Sequence, residues 1–324
     1  MIDRFETPVL FLIFNRPTTT QAVFEKIREI KPAFLYVAAD GPRPDRIDEA
    51  AKCLQTREIL RQVDWPCEVN TLFRETNFGC RHAVSSAIDW FFENVEAGII
   101  IEDDVLPDIS FFYFCADLLK KYKDDLTVFQ INGTNFLTKR PELTASYFFS
   151  KYPFIWGWAT WKRAWAHYDL EMSDYPKYEH ENILKNVLST RKERRYHLGS
   201  FKRIYYRKYN SWDPQWEYAV LKNNGLSITP MYNLSVNIGT NNQSTHVFLK
   251  DSVRDHRRLE SVDFPLRHPM KNDDYTLDTQ IFQNYRGRSL SRILRIIKEN
   301  GLINVLRYYK DIHFKPSIEE KKIK

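Results

Sequence analysis

The stretch Gly98-Ile99-Ile100-Ile101-Glu102-Asp103-Asp104-Val105 constrains this chain more than any other. Three consecutive isoleucines are β-branched and apolar, the composition of a strand covered on both faces of a sheet. Three carboxylates follow without a break, and Pro107 closes the segment. Unpaired anions are not taken into an apolar sheet, because the loss of hydration is too large. The carboxylates must therefore emerge where the strand ends, facing a cation or basic partners. In an open α/β sheet that carboxyl edge is where ligands bind. Extended alternation places Glu102 and Asp104 on one side and Asp103 on the other. One carboxylate then holds Mn2+ or Mg2+ together with substrate phosphates, while its neighbour faces a sugar or ribose hydroxyl. A plainer reading stands beside it: an acidic strand-to-helix turn, with Asp108 capping the next helix.

The segments before it repeat one pattern. Pro8 to Phe14 is a continuous apolar run that stops at Asn15-Arg16-Pro17. A helix then runs to about Ile30, with Val23, Phe24 and Ile27 at helical spacing. Ala33 to Ala39 is a second strand, ending at Asp40-Gly41-Pro42, and a charged helical stretch follows. Glu68 to Phe73 is a third strand, and a helix over Cys80–Glu93 leads into the acidic strand. Strand and helix alternating at intervals of roughly 25–35 residues predict βαβ units and a right-handed, mostly parallel sheet. Neither a G-x-G-x-x-G turn nor a G-x-x-x-x-G-K-[ST] loop is present, which argues against dinucleotide oxidoreductases and P-loop enzymes. The strand ends offer Arg16, Asp40 and Asp103-Asp104 instead, a set suited to a nucleotide. Arg16 also reads as a surface ion pair, and Asp40 as a turn residue before Gly41. Arg81 and His82 open a helix, where backbone N–H groups favour anions, or else form its solvated face.

A further strand, Thr127 to Ile131, ends at Asn132-Gly133-Thr134-Asn135. Residues 147–168 then hold four tryptophans. Trp156-Gly157-Trp158 reads as a substrate-facing loop between a strand-like run and a helix beginning near Ala159, or as plain packing. Residues 173–208 are polar, basic and helical, a flap or a wall on the acceptor side. In Asn210–Glu217, Ser211 or Asp213 is placed to cap a helix that carries Glu217 in its first turn. Trp212 and Trp216 lie four apart, so a capping box with an aromatic staple is one reading. A carboxylate acting as general base beside tryptophan is the other. Leu226–Thr229 and Leu234–Ile238 read as strands. His246, in the polar loop after Gly239, is a metal or phosphate ligand or a surface histidine. From about Arg286, the stripe Leu290, Ile293, Leu294 and Ile297 with basic neighbours either docks on the domain or rests on anionic lipid.

With 324 residues and 43% hydrophobic content, the chain can bury a large α/β core. A diffuse net charge of +6 argues against a nucleic-acid partner. The four scattered cysteines, without a CxxC pair, point to reduced thiols in a cytoplasmic protein. Neither a signal peptide nor an apolar run of roughly 18 residues is found, so any membrane contact would be peripheral, on the inner face.

Taken in order, these segments resemble glycosyltransferases of the GT-A fold. The likeness is to the inverting N-acetylglucosaminyltransferase type with a Glu-Asp-Asp metal motif, and to related bacterial polysaccharide and lipopolysaccharide sugar transferases. It spans roughly residues 7–247 and rests on PVLFLIFNRP, AADG, IIIEDDVLPDISFFYF, INGTN, GWATW, SWDPQWEYAV and NIG. It implies a nucleotide-sugar-binding half over 1–135, an acceptor-side half over 136–265, and a helical basic extension over 266–324. It also implies transfer from a nucleotide-diphosphate sugar, a UDP-sugar foremost, to a hydroxyl of a glycan or glycolipid, with inversion. Asp104 becomes a ligand of Mn2+ or Mg2+, Asp103 a contact of the donor ribose or sugar, Arg16 and Asp40 nucleotide contacts, and Asp213 the general base. Pro214 stands where the type often has a second acid, so Glu217 would share or replace that role. Phe14 and Arg81 are further candidates on the nucleotide side, Trp156 and Trp158 on the acceptor side, and His246 at the metal. No equivalent of the family's nucleotide-contacting histidine follows Gly79, which leaves the donor base open. A sugar nucleotidyltransferase would want a glycine-rich basic loop where FNRP stands, and a non-catalytic carbohydrate-binding module is the other alternative.

Overall fold

The computed structural model describes residues 4–137, 144–181, 183–207, 209–239, 257–270, 276–285 and 290–306. The apolar runs of the N-terminal part become adjacent parallel strands: β1 (Val9–Ile13), β2 (Phe34–Ala39), β3 (Glu68–Phe73) and β4 (Ala97–Glu102). Val9 pairs with Leu35 on one side and with Ile99 on the other. The strands that follow are β5 (Val105–Pro107), β6 (Val128–Asn132), β7 (Tyr147–Ser150), β8 (Trp158–Trp161), β9 (Leu226–Pro230) and β10 (Ser235–Asn237). An eight-stranded sheet forms in the order β3-β2-β1-β4-β8-β6-β9-β7, and β10 and β5 make a two-stranded ribbon. Only β7 and β8 run against the rest of the large sheet. This is the expected mostly parallel, Rossmann-like α/β architecture, consistent with a GT-A fold.

Two helical layers cover the sheet, and strand alternation decides which side chain meets which layer. Val9, Phe11 and Ile13 pack with α1 (Pro17–Ile30), through Val23, Phe24 and Ile27. Phe111, Phe112 and Leu118 of α4 (Ile109–Lys121) extend that layer, beyond α2 (Glu49–Glu58). Leu10, Leu12 and Ile100 meet Ala87, Ile88 and Phe91 of α3 (Gly79–Asn94) on the opposite face. The Ile99-Ile100-Ile101 run is buried on both faces for this reason.

The helix expected from near Ala159 is a strand instead. Trp158–Trp161 inserts antiparallel between β4 and β6, pairing Ile99 with Ala159 and Ile131 with Ala159. Trp158 falls on the α3 side and Trp161 on the α1 side, so the tryptophans alternate as strand residues do. The helical turn α5 (Lys162–Trp165) starts only after them. Residues 173–208 form α6 (Tyr175–Glu181), α7 (Leu184–Val187) and α8 (Arg191–Arg207). Tyr175, Leu184, Phe201 and Ile204 pack against Phe136 and Phe148, and against Tyr218 of α9 (Asp213–Lys222), as a wall.

Four indoles, Trp158, Trp165, Trp212 and Trp216, stack between the sheet and α9; Trp158 lies 5.8 Å from both Trp212 and Trp216. Trp216 Nε1 also donates to Gln130 Oε1. Trp216→Ala is expected to destabilise the fold by about 3–5 kcal/mol, the range for emptying a buried aromatic site. Chemical denaturation measures it, and a loss below about 1 kcal/mol would show that the stack is not cooperative with the core.

Asp278, on the helix Thr276–Tyr285, is buried and accepts hydrogen bonds from Ser150 Oγ and Lys151 N. Burial pushes its carboxyl up to about 7 despite these donors. Because the folded value lies above the ordinary 3.8, the folded state keeps a proton that the unfolded chain releases. Stability therefore falls as pH rises from about 4 to about 7, by at most about 1.4 kcal/mol per unit. Asp278→Asn should flatten that fall. Denaturant midpoints of both proteins at about pH 5 and about pH 8 check it, and an unchanged slope would reject the assignment.

No helix among the described residues is long and apolar enough to cross a membrane. The stripe expected from Leu290 does form a helix, Leu290–Asn300, and Leu294 on it is exposed.

Candidate functional site

The acidic segment is a turn rather than a strand end. Glu102 is the last residue of β4, and the chain turns at Asp103-Asp104 to enter β5. The cause is long-range: β5 pairs antiparallel with β10, outside the main sheet. Ile238 N donates to Asp104 O at 2.8 Å and fixes the turn. Extended alternation is thereby lost, which corrects the expectation that Asp103 faces away from Asp104. Arg16 Nη1 lies 3.1 Å from Asp103 Oδ1 and 2.6 Å from Asp104 Oδ2. Phe14 N donates to Asp103 Oδ2 at 2.9 Å. Asp108, as expected, caps α4 by accepting from Ser110 N.

Burial pushes the Asp103 carboxyl up to about 7, against the pull of Arg16 and with the repulsion of Asp104. Burial also drives Glu102 well above the carboxylate range, with Asp104, Asp103 and Asp213 adding to the rise. One guanidinium does not offset three anions, so these carboxyls either take up protons, as their raised pKa values indicate, or share a second cation. The donors fit a hard ion. Among the described residues, Glu102 Oε1 is buried without a hydrogen-bond partner. The backbone of Gly239 lies so close that a Cβ there would sit 2.4 Å from Asp104 Oδ2, a cradle only glycine permits. Among the described residues no three His, Cys, Asp or Glu side chains converge as a full ligand set. One or two carboxylates completed by substrate phosphates is the arrangement that suits Mg2+ or Mn2+. His246 lies outside the described residues.

Asp40, at the end of β2, spends its oxygens on protein donors. Gly41 N and Phe78 N reach Oδ1 at 3.0 and 2.9 Å, and Gly79 N reaches Oδ2 at 3.0 Å. Burial raises its carboxyl even so. Asp40 therefore sews the end of β2 to the start of α3, where Gly79 adopts φ 77°. Arg81 is buried rather than solvated; its Nη2 donates to Leu170 O at 2.9 Å and Glu171 Oε1 at 2.7 Å. His82 is exposed.

Asn210 Oδ1 accepts from Arg81 N at 2.9 Å, which docks the loop before α9 onto the start of α3. Asp213 is the first residue of α9 and accepts from Ser211 Oγ. Trp212 occupies the cap position without a side-chain cap, so the capping box expected from Ser211 and Glu217 does not form. Glu217 is instead buried, 3.6 Å from His197 Nδ1 in the α6–α8 layer. The charge of Asp213 adds a smaller push to the rise of the Glu102 carboxyl, after burial and the neighbouring Asp104 and Asp103. Trp158, expected on the acceptor side, is fully buried in the indole stack because β8 turns it inward. Trp156 is half-buried; its carbonyl accepts from Thr134 Oγ1 at 2.9 Å and from Ser235 Oγ.

One group goes unread in the sequence. Glu49, buried at the start of α2, accepts from Asn15 Nδ2 at 2.7 Å and pairs with Arg43. Arg43 in turn lies over the Phe14 ring at 5.7 Å. The only signal was Asn15 at the strand end, since residues 43–49 read simply as charged.

No protein-family model matches the chain, and no curated protein matches it. Solved structures similar to it include mouse xyloside xylosyltransferase 1 in its apo form, at 10% identity and TM-score 0.34, over 67% of this chain and 81% of that one. A second is 4-diphosphocytidyl-2C-methyl-D-erythritol synthase from Anaerococcus prevotii, at 10% identity and TM-score 0.30, over 53% and 76%. HddC from Yersinia pseudotuberculosis matches at 8% identity and TM-score 0.27, and the chain spans 59% of its length with 44% of its own. Likenesses this remote say nothing about chemistry, which is left to the residues themselves.

Proposed function

We propose that this chain is a metal-dependent glycosyltransferase that moves a sugar from a nucleotide-diphosphate donor, a UDP-sugar foremost, to a hydroxyl of a glycan or glycolipid. One observation supports the reading: three carboxylates, Glu102 to Asp104, gather with Arg16 at the carboxyl edge of the sheet, while Asn210 docks the loop before α9, and so Asp213 at its start, onto the beginning of α3. In this reading Asp213 is the general base and the turn the cation site, the two groups that attack by a hydroxyl on an anomeric carbon requires.

Asp104, with Glu102 and Asp103 beside it, would hold Mn2+ or Mg2+. When bound, the ion supplies positive charge to offset that developing on the leaving diphosphate. Arg16 reaches the same oxygens, Asp103 faces the donor ribose or sugar, and Phe14 with Asp40 shapes the nucleotide side. Asp213 takes the proton of the acceptor hydroxyl, with Ser211 orienting the carboxylate. Attack from the face opposite the leaving group inverts the anomeric centre. Trp156 is the tryptophan left to meet an acceptor. Peripheral contact of the basic C-terminal helices with a membrane belongs to the same proposal.

The test is thermal shift of the protein against UDP-, dTDP-, GDP- and CMP-sugars, each with and without Mn2+. Ligands of the native state raise the midpoint by mass action. A metal-dependent rise with one series, followed by release of the nucleoside diphosphate on adding acceptor, is the expected result. Release of inorganic pyrophosphate would mark a nucleotidyltransferase, and no response to any donor would favour a binding module.

A further inference from the structure

The acidic turn already carries a cation of its own. Arg16 Nη1 bridges Asp103 Oδ1 at 3.1 Å and Asp104 Oδ2 at 2.6 Å, the oxygens a divalent ion would use. A metal and a guanidinium cannot share these oxygens at contact distance without strong repulsion. One of the partners must therefore give way when the ion enters. The carboxylates are the less free to move. Asp103 Oδ2 is tied to Phe14 N at 2.9 Å, the Asp104 main chain is held by Ile238 N at 2.8 Å, and the Asp104 side chain lies against the backbone of Gly239, where even a Cβ would not fit.

Arg16 can give way. Its backbone is pinned at the start of α1, where its carbonyl accepts from Thr20 N at 3.0 Å and Thr20 Oγ1 at 2.8 Å. Its side chain is long, and 15% of it remains open to solvent. A guanidinium that leaves a carboxylate pair needs another anion of matching shape, and a diphosphate provides one.

Resting on the glycosyltransfer reading, we propose that Arg16 is a positioning residue that keeps bare metal out of the acidic turn. It releases the two aspartates only when the diphosphate of the donor offers its guanidinium a new partner. Metal and donor then bind as a coupled pair, each raising the affinity of the other by the same factor. The turn is not occupied by metal alone, and a donor without metal leaves Arg16 between two sets of anions.

Calorimetric titration of Mn2+ into nucleotide-free wild type and Arg16→Ala tests this, with UDP titrated into both at saturating Mn2+. The expected result is that Arg16→Ala binds bare Mn2+ at least about tenfold tighter than wild type, and UDP at least about tenfold weaker. A merely structural arginine would lower both affinities. Removing Arg16 leaves buried anions unpaired, so Arg16→Gln, which keeps a hydrogen-bond donor without the charge, is read in the same way if the alanine variant does not fold. The proposal is overturned if neither variant binds bare Mn2+ more tightly than wild type. Should wild type bind Mn2+ with UDP while the variants gain nothing for bare metal, Arg16's role alone is wrong. If wild type binds neither, the titrations are repeated with dTDP, GDP and CMP, and failure with all of them overturns the glycosyltransfer reading as well.

Discussion

Asp213→Asn is expected to transfer sugar about 100- to 10,000-fold more slowly than wild type, the usual contribution of a positioned general base. That span corresponds to about 3–5 kcal/mol of barrier. The change is nearly isosteric, and an amide oxygen can still accept from Ser211 Oγ, so the start of α9 keeps its place. Asparagine cannot take a proton from the acceptor. Because Asp213 lies at the start of α9 and is not among the groups proposed to hold the nucleotide, affinity for the donor nucleotide should stay within about twofold. Initial rates at saturating donor, paired with nucleotide titration, separate the two effects. A variant that turns over within tenfold of wild type would remove Asp213 from the base role. Glu217→Gln would then be the next test, although Glu217 sits with His197.

Asp104→Ala should abolish metal-dependent donor binding. In the proposed role of Asp104 as a metal ligand, its loss is expected to weaken the metal-dependent part of nucleotide affinity by at least about 100-fold, or roughly 2.7 kcal/mol. The midpoint rise given by Mn2+ with the donor would vanish. The fold itself should tolerate the change, since removing one of several crowded anions relieves repulsion on Glu102 and Asp103. Arg16 keeps Asp103 as its partner. A midpoint within a few degrees of wild type without ligands, and no response to Mn2+ with the donor, is the expected pair of results. Full metal-dependent binding in this variant would make Glu102–Asp104 a structural turn and no more.

Much of the N-terminal half was legible because its signals are local. PVLFLIF, FLYVAA and AGIII are short apolar runs, each ended by a polar residue and joined by helices of clear period. Their register follows once they lie parallel. The acidic turn was found but its side-chain directions were not, because they depend on β5 pairing with β10 far along the chain. Trp158–Trp161 failed for a related reason. Tryptophan suits a strand or a helix, and only the gap between β4 and β6 decides. Arg81 was read as a nucleotide contact or a solvated residue because nothing local announces that residues 170 and 171 will cover it. Glu49 escaped notice because a buried ion pair looks like any charged helix until its partners are placed.

The antiparallel strand β8 has one more consequence. It is hydrogen-bonded to β4 on one side and β6 on the other, and these two strands meet nowhere else in the ladder. The chain thus makes the isoleucine strand early and must wait for residues 158–161 to close its flank. Until then β4 presents an open ladder edge of β-branched residues, the geometry that recruits strands from other molecules. A fragment of residues 1–135 would keep its parallel strands but lose β10 and Ile238, which set the acidic turn, and the β4 edge would stay permanently bare. Such a fragment should self-associate through β4. Residues 158–161 act as a built-in edge guard, and emergence of the second half from the ribosome is the step that makes the first half safe.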